Sequence, residues 1–233
     1  MLSFIFGDKD SFNDYGIKIC SRPKIVLPKK RVTEMIIPGR DSAVKFDENT
    51  YEDINISVEC NIMDKDLSNK IDDIKSWLIK TGTNDLIFSY QPNKKYIAYM
   101  ANSIDFSQIL KVISRFVIIF RCEPFKYETK QETINVVKPE IIVNPGTIYS
   151  KPIIKVKGTG NIELKINSQI IEIENLDGVI ILDSILEDAY NEEKHNMNFK
   201  INGEFPILEE GENNILWTGG ISNIEITPNW RWI

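Results

Sequence analysis

Histidine is almost missing from this chain: there is one, His195, in 233 residues. That excludes a metal centre built on several histidines, and any Ser-His-Asp or Cys-His site would have to use His195. Its setting, Asn191-Glu192-Glu193-Lys194-His195-Asn196, reads as a polar surface loop and carries no catalytic motif. Cysteine is nearly as scarce. Cys20, Cys60 and Cys122 cannot all pair, and none forms a Cys-x-x-Cys metal or redox motif. Each stands in an apolar or alternating segment, where cysteine acts as a small hydrophobe, and reduced, cytoplasmic synthesis is the simplest reading. Long hydrophobic runs are absent as well. The longest, Phe116 to Phe120, cannot span a bilayer. Met1 to Phe6 is too short for a signal-peptide core and has no basic flank. The expectation is a protein neither exported by a signal peptide nor embedded in a membrane. A basic excess is also lacking: 28 Lys and Arg stand against 34 Asp and Glu, a net charge of −6. Wrapping nucleic acid needs the opposite balance, because affinity comes from neutralising phosphates. The one basic cluster, Pro28-Lys29-Lys30-Arg31, reads as a solvated turn beside a strand.

What remains is the composition of an ordinary globular protein, 42% hydrophobic and 27% charged, long enough for two small domains. The N-terminal half mixes strands with one helix. Short alternation at 17–20, an apolar stretch at 32–37 and clean alternation over 54–60 predict strands. Pro38-Gly39 stops the second, since proline fixes φ and glycine accepts φ > 0. Leu67, Ile71, Ile74 and Leu78 recur at helical spacing between Asp66, a candidate N-cap, and Gly82, a candidate C-terminal cap. That stripe predicts a helix packed on a sheet, with Trp77 at its edge as the part that reaches a neighbour. Strands are expected again at 85–88, 95–100 and 112–121, the last apolar on both faces at its end and so buried on both.

Residues 128–140 are charged and polar, and the domain boundary is placed there, giving domains 1–135 and 136–233. Beyond it the rhythm is all-β, with strands expected at 153–157, 161–166, 169–174, 178–183, 197–201, 205–208, 214–218 and 221–226. Gly158-Thr159-Gly160, Asp177-Gly178, Asn202-Gly203 and Gly219-Gly220 are read as turns between them. Strands at this spacing predict a β-sandwich or jelly roll.

The search for chemistry yields generic features. Glu52-Asp53, Asp72-Asp73 and Glu209-Glu210 are acidic pairs without a motif. Glu172 and Glu174 share a strand face but alternate with Ile171 and Ile173, the pattern of a solvated face on an amphipathic strand. Asp64-Lys65-Asp66 lacks the later ligands of a calcium loop, and Gly158-Thr159-Gly160 lacks the lysine and helix of a phosphate loop. Trp217, Trp230 and Trp232 could stack on a sugar. The preferred reading is a C-terminal strand pinned to the body by Trp230 and Trp232, with Arg231 facing the other way. No catalytic, cofactor-binding or metal-binding residue is predicted.

Two segments carry a resemblance. Ile36-Ile37-Pro38-Gly39-Arg40-Asp41 runs into Ala43-Val44-Lys45-Phe46, and Phe116-Val117-Ile118-Ile119-Phe120-Arg121-Cys122-Glu123-Pro124-Phe125-Lys126-Tyr127 follows after an amphipathic helix. In this order, and with the Pro228-Asn229-Trp230-Arg231 tail, they resemble the distal tail proteins of long-tailed, siphovirus-type phages, including prophage and bacteriocin relatives. Ser42 departs from the family, where glycine is common at that turn. The resemblance implies a mainly β protein with one clear helix: an N-terminal ring-forming β-sandwich-plus-helix domain, then a galectin-like sandwich projecting from the ring. It implies a structural, non-enzymatic virion protein made in the host cytoplasm. A hexameric ring would join the tail-tube protein to the tail-associated hub or lysin protein, with no cofactor, specific nucleic acid or membrane as partner. The alternative is a carbohydrate-binding module at the tail tip that recognises the host wall.

Overall fold

In a computed structural model the described residues are 1–102, 107–110 and 113–233, with only the backbone described for 107–110. The chain divides into two compact units, residues 1–129 and residues 130–232. In the first, β1 (Phe4–Phe6), β2 (Lys9–Asp10), β3 (Lys18–Ile19), β4 (Lys30–Met35), β5 (Val44–Tyr51) and β6 (Ile54–Met63) precede α1 (Leu67–Thr81). There follow β7 (Asn84–Phe88), β8 (Lys94–Met100), β9 (Ser107–Leu110), β10 (Ile113–Cys122) and β11 (Lys126–Glu128). The main sheet runs β2-β1-β7-β8-β10-β6-β3, with β9 beside β10 and β11 beside β8.

Alternation builds this sheet. β6 sends Ile54, Ile56, Val58, Cys60 and Ile62 inward, and β10 opposes them in register, Phe116 to Cys60, Ile118 to Val58 and Phe120 to Ile56. The helix closes the core with Leu67, Ile74, Trp77 and Leu78. Asp66 occupies the N-cap position but makes no side-chain cap bond; its carboxylate accepts from Asn69 Nδ2 instead. Gly82 takes the C-cap at φ 60°. Two expectations are corrected here. Trp77 does not reach outward: it is buried, its ring lies over those of Phe4 and Tyr15, and its Nε1 donates to the Phe6 carbonyl. The end of β10 is not buried on both faces either, since Val117 is 41% exposed. Val112, at the expected start of that strand, lies outside the described residues.

Cys60 and Cys122 are buried and Cys20 is exposed, so the reading as a small packed hydrophobe holds for the first two and not for Cys20. Burial pushes the Cys60 thiol far up and the Cys122 thiol up to about 12. Thiolate is the reactive form, so iodoacetamide at pH 8 is expected to label the native protein once, at Cys20, and three times after denaturation. Intact-protein mass spectrometry reads this directly, and a second native label would refute the assigned packing. The sign for stability follows. The unfolded chain ionises these thiols from about pH 8.5 while the folded chain holds them neutral, so stability falls as pH rises above that value.

The second unit contains β12 (Ile134–Val136), β13 (Glu140–Asn144), β14 (Ile153–Ile166), β15 (Gln169–Asp183), β16 (Asp188–Tyr190), β17 (Ile201–Gly203), β18 (Gly211–Thr227) and β19 (Arg231–Trp232). The polar stretch at 128–140 is therefore partly strand, with β12 paired to the end of β18. Three strands are much longer than expected. Gly158-Thr159-Gly160, Asp177-Gly178 and Gly219-Gly220 are not turns; they lie inside β14, β15 and β18. They sit together across the ladder, Gly158 opposite Gly178 and Ile221, and Thr159 opposite Gly220. Here the register shifts and the inward face changes parity, from Asn213 and Ile215 to Ile224 and Ile226 in β18, and from Ile171 and Ile173 to Leu176, Ile180 and Leu182 in β15. A bulge does this by inserting an unpaired residue and bending the strand. One sheet thus folds over itself at a glycine corner, and the residues on either side of the bend pack into one core. The stretch expected as strand 197–201 is a 3-10 turn (Asn198–Lys200) leading into β17, and 205–208 contributes one bridge, Leu208 to Ser150.

Candidate assembly surface

The residues sequence reading weighed for chemistry do not come together. His195 is exposed, its Nδ1 3.4 Å from Glu193 Oε2. Glu172 and Glu174 are exposed, and Glu172 accepts from Asn202 Nδ2. Asp64 accepts from the Asp66 backbone N–H, two residues on. Trp230 is 8% exposed and Trp232 partly buried on the same core as Trp217, so no open tryptophan platform forms. Arg231 does not face solvent: it is buried, its guanidinium stacked over Tyr149 and donating to the Tyr149 carbonyl. Among the described residues no group of three or more His, Cys, Asp or Glu could hold a metal, and no helix is long and apolar enough to cross a membrane.

The feature that stands out is β4 and β5. They pair only with each other, outside the main sheet. Every residue of β4 and most of β5 is exposed. Register sorts the ribbon into two faces, because directly opposed residues share a side. Met35 opposes Val44 and Thr33 opposes Phe46, whereas Glu34 opposes Lys45 and Val32 opposes Asp47. One face is therefore mostly apolar and the other largely charged, with Lys45–Glu34 at 3.3 Å and a Lys30–Asp47 ion pair. The Lys30 ammonium, hydrogen-bonded to Asp47, holds that carboxyl below its usual range. On the apolar face Met35 is 55% and Phe46 58% exposed, and Ile36 just beyond is 83% exposed. The ribbon ends in Ile37-Pro38-Gly39-Arg40, where the Arg40 N–H returns to the Ile37 carbonyl and Gly39 sits at φ 85°. Proline then glycine at positive φ is the chemistry of a type II turn. The sequence announced a strand and a turn here. It did not announce that the apolar face would stay uncovered, because the pattern of an exposed ribbon is the pattern of a half-buried one.

A second surface lies on the same unit. Between the 7–16 turn and α1 is a cleft of about 950 Å³, lined by Asp8, Asp14, Tyr15, Lys70, Asp73, Trp77 and Lys80 among others. Tyr15 stacks on Trp77 with centroids 4.5 Å apart, and Lys70 reaches over the Tyr15 ring to the Asp14 carbonyl. Burial and then the charges of Asp14, Asp73 and Asp8 raise the Tyr15 hydroxyl. Sequence reading missed this site because it placed Trp77 on the outside.

The fold is similar to that of known proteins. Residues 15–122, most of the first unit, match the family described as phage tail protein RIFT-related domain. The fold of the whole chain is that of the SPP1 Dit (gp 19.1) protein, whose crystal structure aligns with a TM-score of 0.77 at 15% identity, over 97% of this chain and 98% of that one. That protein is described as a paradigm of the hub adsorption apparatus in phages infecting Gram-positive bacteria. The chain thus carries a domain similar to that phage tail family and has the fold of a Dit protein. No curated protein sequence matches the chain.

Proposed function

We propose that this chain forms a hexameric ring at the end of the tail tube and joins the tube to the tail-tip hub protein. The observation that carries the reading is the β4–β5 arm. A lone two-stranded ribbon is only marginally stable in water, and exposed ion pairs add little, so its apolar face calls for a cover. Eight residues from Lys30 to Ile37 extend about 26 Å. A unit of this size has a radius of gyration of about 14 Å. An arm of that reach crosses into a neighbour. The main sheet adds a second assembly feature: β3 pairs with β6 only at Cys60 and Asn61, so among the described residues no strand lies beyond Ile54–Val58. An arm on one side and different surfaces elsewhere make a heterologous contact, the kind that closes rings.

In this reading residues 1–135 form the ring and 136–233 form the galectin-like domain. The partners are tail-tube protein on one side and the hub or lysin protein on the other. The protein is made in the host cytoplasm, and its work is geometric, without catalysis or cofactor. The test is to replace Arg31–Thr50 by Asn-Gly, a dipeptide that turns a two-residue hairpin, which leaves the paired Lys30 and Tyr51 in place. The shortened chain is expected to keep its melting temperature within a few degrees and to run as a monomer where the parent runs near sixfold mass by light scattering. A shortened chain that still forms rings would remove the arm from the interface.

A further inference from the structure

We propose that the arm tip of one copy seats in the Tyr15–Trp77 cleft of the next, with Arg40 against Asp73 and Asp41 against Lys80. This rests on the ring reading and names the two halves of its contact.

The tip has the properties of a knob. Its turn is closed by its own backbone hydrogen bond, with Gly39 at positive φ, so little freedom is lost when it docks. Among the described residues, the side chains of Arg40 and Asp41 have no hydrogen-bond or ion-pair partner. Ile36 and Ile37 beside them are exposed.

The cleft has the properties of a hole. Its volume, about 950 Å³, exceeds that of a four-residue turn, and its apolar floor is the half-buried Tyr15 ring, stacked on the buried Trp77, for Ile36 and Ile37 to cover. Its charge is ordered and not uniform. Asp73 and Lys80 stand seven residues apart on α1, on one helix face about 10 Å apart along the axis. From the facing turn Asp8 and Asp14 add negative charge and Lys9 a positive one, while Lys70 is already engaged with the Asp14 carbonyl. A dipolar tip thus meets a dipolar cleft, and like charges brought face to face would disfavour any other register. Within one copy no residue of the arm lines the cleft, and the arm is exposed along its length, so the occupant assigned here is the tip of a second copy.

Charge reversal tests this on the full-length chain. Arg40→Asp and Asp73→Arg are each expected to raise the concentration of half-assembly by about tenfold or more, as loss of a central contact does. Mixed one to one, the two variants are expected to recover rings near the parent concentration. In an alternating ring the two reversed charges face each other at every second contact, and the native pair, Arg40 against Asp73, meets at the others. Light scattering and electron micrographs read both arms, and matching thermal melts check that each variant is folded. Singles that assemble like the parent, or a mixture that stays unassembled, would overturn the contact while leaving the ring reading standing. A parent that never assembles, even on tails, would sink the ring reading and this contact with it.

Discussion

Replacing Trp230 by alanine is expected to cost about 3–5 kcal/mol of stability in the second unit, the range for removing a large aromatic from a core. Trp230 is 8% exposed and belongs to the same core as Ile154, Leu182 and Ile226. The reason it reaches that core is local. Pro228 ends β18, and Asn229 takes a left-handed conformation at φ 52°, held by its Nδ2 donating to the Lys151 carbonyl. The chain turns and the next indole points inward. Trp232 packs on the same core but only in part, with its Nε1 donating to the Pro145 carbonyl. Its replacement by alanine should cost less, about 1–2 kcal/mol from one hydrogen bond and a partial burial. Sequence alone treated the two tryptophans as equals. The structure ranks them, and urea titrations of the full chain followed by near-ultraviolet dichroism test the ranking. A sugar platform would give the reverse pattern, with stability unchanged and glycan binding lost. An unchanged midpoint for Trp230→Ala would refute the structural role of this tail.

What the sequence made legible was whatever alternation and helical spacing encode. α1, β7 and β8 lie within a residue of their expected limits and β6 starts where expected but runs three residues further, because each carries a clean period. What it hid has two physical sources. The first is that an apolar residue on a strand says nothing about what covers it. Met35 and Phe46 sit exposed on a ribbon, whereas Ile56 and Phe120, in the same kind of pattern, are fully buried. Trp77 shows the converse, since a residue at the margin of a helical stripe became the centre of an aromatic stack. The second source is that glycine marks both a turn and a bend. At Gly158, Gly178 and Gly219 the chain does not reverse; it kinks and continues pairing. The break in period there was visible, but a hairpin and a corner both break the period, and only long-range pairing distinguishes them.

That distinction gives the second large effect. If Gly219 were a turn residue, its need for glycine would be conformational, and alanine would cost about 1–2 kcal/mol for the left-handed backbone. At the corner the demand is steric as well. Gly219 lies at φ 94°, and a Cβ there would stand 2.3 Å from the Asn161 carbonyl oxygen and 3.1 Å from the Ile162 Cα. Both are backbone atoms of the paired strand, so neither can rotate away. Gly158 and Gly220 interlock in the same place, each with a Cβ position within 2.6 Å of a carbonyl oxygen across the ladder. Gly178 supplies the internal control. It has φ 99° but nothing within 4 Å of its would-be Cβ. Gly219→Ala is therefore expected to cost about 3–5 kcal/mol, the range of severe backbone and packing faults, and to unfold the second unit in a chain with only about 5–15 kcal/mol of net stability to lose. Gly178→Ala should cost about 1–2 kcal/mol, the conformational part alone, and leave the fold intact. Urea titrations of the two variants side by side measure the difference. Equal midpoints would mean that the strands are not pressed together at the bend, and that β14 and β18 end where a hairpin reading would end them.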